Sequence, residues 1–373
     1  MIIGVPKEIK NNEFRVGLTP ASAYELVHAG HQIFIETGAG LGSGYSDKNY
    51  IEIGAEIAAQ ARDIFSKSKL IIKVKEPLKQ ERARLNSTHT LFTYLHLAPD
   101  AAQTDDLLKS GSTCIAYETV TDEDGHLPLL TPMSEVAGRM SIQAGAHCLE
   151  KSQHGQGLLL SGVPGVQAAN VIILGGGVVG SNAAKIAVGM GANVFILDKS
   201  LNTLRALDHA FGNKIQTLFS TRHSIENCLR IADLVIGAVL VPGAKAPKLV
   251  SRDDLKLMKA GAAVVDVAVD QGGCFETTHA TTHDAPTFIE EDIVHYCVAN
   301  MPGALARTST QALNNATLPF ILELANKGVK KALSENHHLL QGLNISKSQI
   351  TCPAVGIAQN KLSITPEEGL ALF

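Results

Sequence analysis

Four polar side chains stand at the ends of predicted strands and would together equip a site that oxidises an amino or hydroxy acid. Arg15 follows the first strand, where a guanidinium can bind a carboxylate through two parallel hydrogen bonds. Lys75 ends LIIKVK and can polarise a carbonyl oxygen, and His96 lies near the end of LFTYLHL and can act as general acid or base. Asp270 closes VVDVAVD and would supply an acid to the same site.

Each of these residues also has an ordinary structural interpretation: a solvated charge for the arginine and lysine, a hydrogen-bonded histidine, and a loop cap for the aspartate. Lys73 shares a strand face with Lys75, so either lysine fits the proposed role. Asp266 lies earlier in the same strand as Asp270 and competes with it. We favour catalytic over structural roles for these residues, because the carboxyl ends of parallel strands meet at the edge where open α/β sheets bind ligands.

A glycine-rich turn between a strand and a helix predicts a dinucleotide site. The apolar run Val171–Leu174 predicts a buried parallel strand, and Gly175, Gly177 and Gly180 follow in G-x-G-x-x-G spacing. The first glycine would make the tight turn, the second would admit a pyrophosphate, and the third would let the helix pack close to the strand. The free N–H groups of the helix N-terminus would bind the phosphates.

A second apolar run, Val194–Leu197, ends on Asp198, about 20 residues after the glycines. A carboxylate at this position accepts hydrogen bonds from the adenosine ribose and repels a 2′-phosphate, so NAD is predicted rather than NADP. Lys199 beside it weakens that preference slightly.

Bulk properties favour a two-domain cytoplasmic protein. The chain has 373 residues, of which 45% are hydrophobic and 18% charged. A net charge of −4 gives no electrostatic reason to expect nucleic acid or an acidic membrane surface. Residues 1–10 do not resemble a leader, and we expect no membrane span. Six scattered cysteines without C-x-x-C argue against zinc and disulfides.

The first part of the chain alternates strands and helices, which predicts a parallel sheet covered on both faces. Because it lacks the glycine motif, we expect it to hold the substrate. One of its predicted helices lies around Tyr50–Gln60. The predicted strands are Ile2–Val5, Gln32–Glu36, Leu70–Val74, Thr90–Leu97 and Thr113–Ala116.

The second part begins with a predicted helix, Pro132–Glu150, and supplies six strands, enough for a complete dinucleotide-binding unit. The mostly helical remainder is too small to stand alone and should pack back on the first domain. The sequence therefore predicts an α/β fold with a discontinuous Rossmann-like substrate domain (residues 1–131 and 304–373). The other predicted domain is a Rossmann-type NAD domain (residues 132–303), and the active site is expected in the cleft between the two.

Long ordered stretches resemble the alanine dehydrogenase and transhydrogenase alpha-subunit family over essentially the whole chain. The resemblance implies reversible, NAD-dependent oxidative deamination of L-alanine to pyruvate and ammonia by a homohexamer. The matching stretches are GVPKEIKNNEFRVGLTP (4–20), KVKEP (73–77), AYETV (116–120), PLLTPMSEVAGRM (128–140), GVPGV (162–166), ADLVIGAVLVPGAKAPKLV (232–250), VDVAVDQGGCFE (265–276) and YCVANMPGA (296–304).

The resemblance also assigns roles to individual residues. Arg15 would hold the substrate carboxylate and Lys75 the carbonyl or amino end. His96 would be the general acid and base, and Asp270 would help to activate water or ammonia. Besides the glycine motif, the implied cofactor contacts are Ser134, Val178, Val179, Asp198, Ser220, Val239, Leu240, Val267, Ala268, Val269, Asp270, Val298, Ala299, Asn300 and Met301.

Two positions depart from the family pattern. Thr203 stands where relatives often carry a lysine near the adenosine, which puts one charged contact in question. Some members associate a divalent ion with a late Glu and His pair, but Glu323 is followed four residues on by Lys327 here. We therefore expect no bound metal.

Three alternatives stay open at this point. The first is a soluble transhydrogenase-like nucleotide-binding subunit, and the second is a dehydrogenase of the saccharopine or lysine type. The third is a non-catalytic NAD-binding protein. The intact Lys75, His96 and VAVDQGGCFE argue against the first and third alternatives, and the larger substrate of the second would need a different pocket.

Overall fold

The computed structural model describes residues 1–239 and 246–373, which form two α/β units. The first unit combines Met1–Met133 with Gly303–Phe373, and the second is Ser134–Pro302. Each contains one sheet of mainly parallel strands, so the predicted fold class is confirmed.

The N-terminal segment contributes six strands and five helices among the described residues. Local signals explain where its first helix begins, because Thr19 caps the N–H of Ser22 at 3.1 Å and Pro20 occupies the first helical position. The strands are β1 (Ile2–Val5), β2 (Gln32–Glu36), β3 (Glu56–Ala58), β4 (Leu70–Ile72), β5 (Thr90–Thr93) and β6 (Thr113–Ala116). The helices are α1 (Pro20–His28), α2 (Asp47–Ile51), α3 (Ala61–Lys67), α4 (Lys79–Arg82) and α5 (Ala101–Ser110).

The central segment alternates strands and helices in the same way. Its helices are α6 (Thr131–Cys148), α7 (Val178–Gly189), α8 (Leu201–Phe211), α9 (Arg222–Ile231) and α10 (Arg252–Leu255). Its strands are β7 (Asn170–Leu174), β8 (Asn193–Asp198), β9 (Ile215–Phe219), β10 (Leu234–Gly237), β11 (Ala263–Asp266), β12 (Thr287–Glu290) and β13 (Ile293–Tyr296).

The C-terminal segment is mostly helical, as the sequence predicts, but it adds two short strands. These are β14 (Leu343–Ser346) and β15 (Gln349–Ile350). Its helices are α11 (Ala306–Lys327), α12 (Val329–Glu335), α13 (His337–Leu340), α14 (Pro353–Gln359) and α15 (Pro366–Ala371).

The sheet of the first unit has the order β15-β14-β6-β5-β4-β1-β2-β3. Strands β1 to β6 are parallel, whereas β14 runs antiparallel to β6 and β15 antiparallel to β14. Because β1 pairs with both β2 and β4, the strand order reverses between β1 and β4. Open α/β sheets bind ligands at the carboxyl ends of the strands beside such a reversal.

Apolar side chains on successive residues of these strands enter two different cores. Leu70 and Ile72 of β4 pack with Leu313 of α11 on one face, and Ile71 packs with Leu107 of α5 on the other. The near-continuous apolar runs in the sequence are therefore strands buried on both faces.

The sheet of the second unit has the order β12-β13-β11-β10-β7-β8-β9. All neighbouring strands of the described sheet are parallel except the pair β12 and β13, in which the edge strand β12 runs antiparallel. The order reverses between β7 and β10, which places the glycine motif after β7 at the switch point of a Rossmann-type sheet.

Several sequence predictions of element boundaries were wrong. The helix predicted around Tyr50–Gln60 ends at Ile51 and is followed by strand β3, because Gly54 takes a φ of +91° that a helix does not tolerate. Strands β4 and β5 end at Ile72 and Thr93, before the polar residues that the sequence assigned to them. None of the helices in the described residues has the length and apolar character needed to cross a membrane.

Candidate active site

Arg15 lies in the segment that follows β1 and is held by a carboxylate from the same segment. Its side chain is 2% exposed, and that of Glu13 is fully buried. Glu13 accepts the Arg15 Nε–H at 2.7 Å and the Nη2–H at 2.6 Å, and Nη1 lies 3.1 Å from the sulfur of Met133. Burial opposes the charge, but the hydrogen bonds and charge of Glu13 together with the charges of Tyr94 and Glu8 outweigh it and raise the pKa of Arg15. A substrate carboxylate would therefore have to bind at an edge other than the Nε–Nη2 edge.

The two candidate lysines differ sharply in their surroundings. The ammonium of Lys73 is fully buried between Glu8 at 2.9 Å and Glu81 at 2.8 Å. Although burial acts against its charge, these two carboxylates raise the pKa of Lys73. Lys73 thus belongs to a buried structural ion triad, which leaves Lys75 as the lysine suited to chemistry.

Lys75 carries the ammonium that a substrate could use. In the part of the chain that the structure describes, its side chain makes no hydrogen bond or ion pair. Burial lowers the pKa of Lys75, and the nearby charge of Arg15 lowers it further. A lysine with a lowered pKa in a polar cluster at a sheet edge is typical of a functional site, where it can bind a substrate or transfer a proton.

His96 follows β5 in a strained backbone conformation. The backbone φ of His96 is +48°, and its imidazole is 46% exposed. The backbone N–H of His96 donates to the Glu118 carboxylate at 2.6 Å. Glu118 also accepts the Leu95 N–H at 3.1 Å and lies 3.9 Å from His96 Nδ1. The ring of Tyr94 lies parallel to the imidazole, with centroids 5.9 Å apart and planes at 6°.

Tyr94 lies between the histidine and Arg15. Its hydroxyl donates to the carbonyl of Leu129 at 2.5 Å. Burial raises the pKa of the Tyr94 hydroxyl, and the charge of Arg15 acts on it in the opposite direction. The first unit therefore places His96 beside Tyr94, Tyr94 near Arg15 and Arg15 near Lys75, at the carboxyl ends of β1, β4 and β5.

Sequence reasoning missed the residues that support this cluster. Glu13 lies two residues before Arg15, and Tyr94 lies two residues before His96. Residues two apart in an extended segment point to the same face, and this spacing was the signal available in the sequence. Glu118 lies in AYETV, which the family resemblance includes but to which no role was assigned.

In the second unit, the glycine motif has the geometry that its spacing predicts. Gly175 takes a φ of +103°, and a Cβ on Gly180 would lie 1.8 Å from the Gly175 carbonyl oxygen, so the helix packs directly on the turn. Gly177 is the N-cap of α7 and provides no side-chain cap. Apart from its immediate chain neighbours and the adjoining backbone, no atom of the described residues lies within 4 Å of the position that a Cβ on Gly177 would take.

Asp198 is the last residue of β8, and its carboxylate faces this turn. Oδ2 accepts the Gly176 N–H and Oδ1 accepts the Ser200 N–H, both at 2.7 Å. Ser220 follows β9 directly, and its N–H donates to the Asp198 carbonyl at 2.9 Å. An uncapped helix N-terminus beside an open glycine and a fixed carboxylate fits the pyrophosphate and ribose of a dinucleotide.

The structure separates the two candidate aspartates. Asp266 is fully buried, and its carboxylate accepts the N–H groups of Ala268 at 3.1 Å and Cys274 at 2.8 Å as well as the Thr278 hydroxyl at 2.7 Å. Asp266 therefore organises the loop after β11. Asp270 lies exposed on that loop and accepts the Asn300 N–H at 3.2 Å, so it is the one available for chemistry.

Most of the other predicted cofactor positions lie at the same edge of the second sheet. Leu240 lies outside the described residues, and Ser134 is on α6. The rest are Val178 and Val179 at the start of α7, Val239 after β10, Val267, Ala268 and Val269 after β11, and Val298, Ala299, Asn300 and Met301 after β13. Together with the glycines, they line the carboxyl ends of the parallel strands.

Two family models match successive parts of the chain. Residues 4–137 match the model described as Alanine dehydrogenase/PNT, N-terminal domain, and residues 141–353 match Alanine dehydrogenase/PNT, C-terminal domain. The chain belongs to the alanine dehydrogenase/PNT family.

Individual members of the alanine dehydrogenase/PNT family are similar over nearly the full length. The alanine dehydrogenase of Halomonas elongata is 56% identical over 358 residues, which is 96% of each chain. A solved structure named L-alanine dehydrogenase has a TM-score of 0.94 and 51% identity, and covers 96% of this chain and 99% of its own. A transhydrogenase from Sinorhizobium meliloti, with a TM-score of 0.82 and 23% identity over 95% of this chain and all of its own, shares the fold.

At the position that some family members associate with a divalent ion, a lysine forms ion pairs in this protein. The Lys327 ammonium donates to Glu323 at 2.7 Å and lies 3.0 Å from Glu335. The second oxygen of Glu323 accepts the Asn336 amide at 2.7 Å. Glu323 thus already has a cation and a neutral donor as partners.

Proposed function

We propose that the chain catalyses the reversible, NAD-dependent oxidative deamination of L-alanine to pyruvate and ammonia. The observation that carries the proposal is the cluster at the first sheet edge, where the Lys75 ammonium has a lowered pKa beside Arg15 and Tyr94 stacks on His96. Relatives and a solved structure named alanine dehydrogenase, at 51–56% identity over almost the whole chain, support the same activity.

NAD is the proposed cofactor. The open Gly177 and the uncapped start of α7 would bind the pyrophosphate, and Asp198 would bind the adenosine ribose. The chemistry that the cofactor supplies when bound is acceptance of a hydride at its nicotinamide ring. A carboxylate fixed at the end of β8 disfavours a 2′-phosphate, which supports NAD over NADP.

In this mechanism, Arg15 and Lys75 bind the carboxylate end and the carbonyl or amino end of the substrate. Restricting its rotation in this way can lower the barrier by several kcal/mol. The amino group reacts in its neutral form, after its extra proton has passed to solvent, so loss of hydride from Cα turns the substrate into an iminium ion, whose positive charge the exposed carboxylate of Asp270 would offset. His96 removes a proton from the attacking water and returns it to the amino nitrogen of the carbinolamine. The departing ammonia takes the remaining hydroxyl proton and leaves as ammonium, so the carbonyl of pyruvate forms and the imidazole ends the cycle as it began.

The experiment that tests the proposal follows NADH absorbance with pyruvate, with and without ammonium. We expect oxidation of NADH only when both pyruvate and ammonium are present. Oxidation with pyruvate alone would indicate a hydroxy-acid dehydrogenase instead. Binding of NADH without any oxidation would contradict the proposed activity and favour a nucleotide-binding role.

We also propose that the protein is a cytoplasmic homohexamer. The hexamer is supported by the likeness to alanine dehydrogenases, for which the family resemblance implies this assembly. The cytoplasmic location is supported by the six cysteines, none of which forms a disulfide among the described residues. Sedimentation equilibrium of the purified protein would measure the mass, and a monomer or dimer at micromolar concentration would contradict this part of the proposal.

A further inference from the structure

The chain beyond the end of β4 is held on its two sides by different partners. On the β5 side, the Val74 carbonyl accepts the Tyr94 N–H at 3.3 Å and the Lys75 carbonyl accepts the Thr93 hydroxyl at 3.0 Å. On the β1 side, the N–H groups of Val74 and Lys75 both donate to Glu8 Oε1, at 2.7 Å and 3.3 Å. A carboxylate from the segment after β1 therefore replaces the strand carbonyls that would continue the sheet.

The second oxygen of Glu8 is also occupied. Oε2 accepts the buried Lys73 ammonium at 2.9 Å, and the Glu8 side chain itself is 2% exposed. Both oxygens must therefore accept hydrogen bonds, from a cation on one side and from backbone N–H groups on the other. Only a carboxylate can do this, because one end of a glutamine amide is a donor. Buried donors without acceptors are costly, so the arrangement is specific for glutamate.

This contact joins the segments that carry the two substrate-binding cations. Glu8 and Arg15 lie on the segment after β1, and Lys75 lies on the segment after β4. Lys10 pairs with Glu76 between the same two segments. Since Arg15 and Lys75 repel each other, their spacing needs fixed anchors of this kind.

We propose that Glu8 is a positioning residue that holds Lys75 in register with Arg15 through the Val74 and Lys75 N–H groups. The inference rests on the proposed function, in which Lys75 binds the substrate. It assigns to Glu8, one member of the buried triad with Lys73 and Glu81, a role in substrate binding that reaches beyond folding.

The chain provides a matched control in Glu81. Its carboxylate has the same 2% exposure and pairs with the same Lys73 ammonium at 2.8 Å. Its other oxygen accepts the Leu78 N–H at 2.8 Å, at the start of α4. Glu81→Gln therefore removes the same charge from the same cation and disturbs a different backbone donor.

The experiment compares Glu8→Gln with Glu81→Gln, each in the parent and in a Lys75→Met background. Binding of pyruvate to the NADH-loaded protein without ammonium is measured by NADH fluorescence, along with kcat, KM and thermal midpoints. We expect similar drops in the midpoint for both variants. Only Glu8→Gln should weaken pyruvate binding and lower kcat/KM, by about 10- to 100-fold, with NADH binding unchanged. In the Lys75→Met background the Glu8 effect should disappear, since coupled residues are not additive.

Two outcomes overturn the inference alone: equal losses of pyruvate binding in both variants, or an unchanged Glu8 effect without Lys75. If Lys75→Met itself keeps parental pyruvate binding and kcat, the role of Lys75 in the proposed function fails as well. If Glu8→Gln does not fold, Glu8→Asp and Glu81→Asp keep the charge but shorten the reach, and they are compared in the same way.

Discussion

The carboxylate of Asp198 accepts the backbone N–H of Gly176 at 2.7 Å, so the last residue of β8 fixes the turn that follows β7. The same carboxylate also accepts the Ser200 N–H. Two backbone donors hold its orientation, and it cannot rotate away from a group that approaches the turn. The side chain that would select the cofactor therefore also shapes the loop that would bind it.

Replacing Asp198 with asparagine should weaken the preference for NADH. The amide oxygen can still accept the Gly176 N–H, but the charge that repels a 2′-phosphate is lost. We expect the ratio of kcat/KM with NADPH to that with NADH to rise by about tenfold or more, which is about 1.4 kcal/mol. Asp208→Asn, which removes an exposed charge from α8, is the control. An unchanged ratio in Asp198→Asn would contradict this account of cofactor choice.

Gly180→Ala should destabilise the second unit and reduce NADH affinity. The new Cβ would lie 1.8 Å from the Gly175 carbonyl oxygen, so the turn must move. We expect a loss of about 1–3 kcal/mol in urea unfolding. Gly189→Ala at the end of the same helix meets no atom of the described residues within 4 Å. It should be neutral or stabilising by up to about 1 kcal/mol. Equal behaviour of the two variants would rule out close helix packing as the reason for Gly180.

Lys73→Met and Lys75→Met should change stability in opposite directions. Removing Lys73 leaves Glu8 and Glu81 buried together without their cation, and we expect a loss of about 3–5 kcal/mol. Removing Lys75 relieves a buried charge, so the thermal midpoint at neutral pH should rise while activity falls. Thermal unfolding of both variants beside the parent tests the contrast, and a lower midpoint for Lys75→Met would contradict it.

The advantage of Lys75→Met should depend on pH in a defined way. Burial lowers the pKa of Lys75 in the folded protein below its ordinary value of 10.5. Below the lowered pKa both the folded and the unfolded state are protonated, and the folded state alone bears the cost of the buried charge. As the pH rises through the lowered pKa towards 10.5, that cost disappears. The difference in midpoint between Lys75→Met and the parent should therefore shrink as the pH rises towards 10.5, and a constant difference would contradict the assignment.

His96→Ala should abolish turnover and leave NADH binding nearly intact, because the imidazole is the proposed acid and base. The backbone at position 96 has a φ of +48°, which alanine tolerates less well than glycine. His96→Gly should therefore be equally inactive but more stable than His96→Ala, by about 1 kcal/mol. Near-normal kcat in either variant would refute the catalytic role of His96, and fluorescence titration with NADH checks that the cofactor site is preserved.

The sequence predicts strands of four or five residues better than strands of two or three for a physical reason. The strands Ile2–Val5, Gln32–Glu36 and Thr113–Ala116 have the predicted bounds, because turn residues flank them locally. Strand β3, with only three residues, and strand β15, with two, are too short to show a period. They depend on pairing with β2 and β14, which a local pattern does not encode.

The candidate site shows a similar division. Arg15, Lys75, His96 and Asp270 were proposed from residue type and position after strands, and these are local features. The sequence alone does not distinguish Lys73 from Lys75, because the distinction depends on the contacts of Lys73 with Glu8 and Glu81. The partnership of His96 with Glu118 joins residues 22 apart in the chain and left no local signal.

The antiparallel pairing of β14 with β6 has a consequence for how the chain folds during synthesis. The sheet of the first unit needs residues 343–350, so it stays incomplete until these residues have left the ribosome. The second unit is a continuous stretch, Ser134–Pro302, and all of its strands emerge earlier. Domains usually fold from the N-terminus onwards. In this protein the nucleotide-binding unit, although second in sequence, can be the first to complete its sheet.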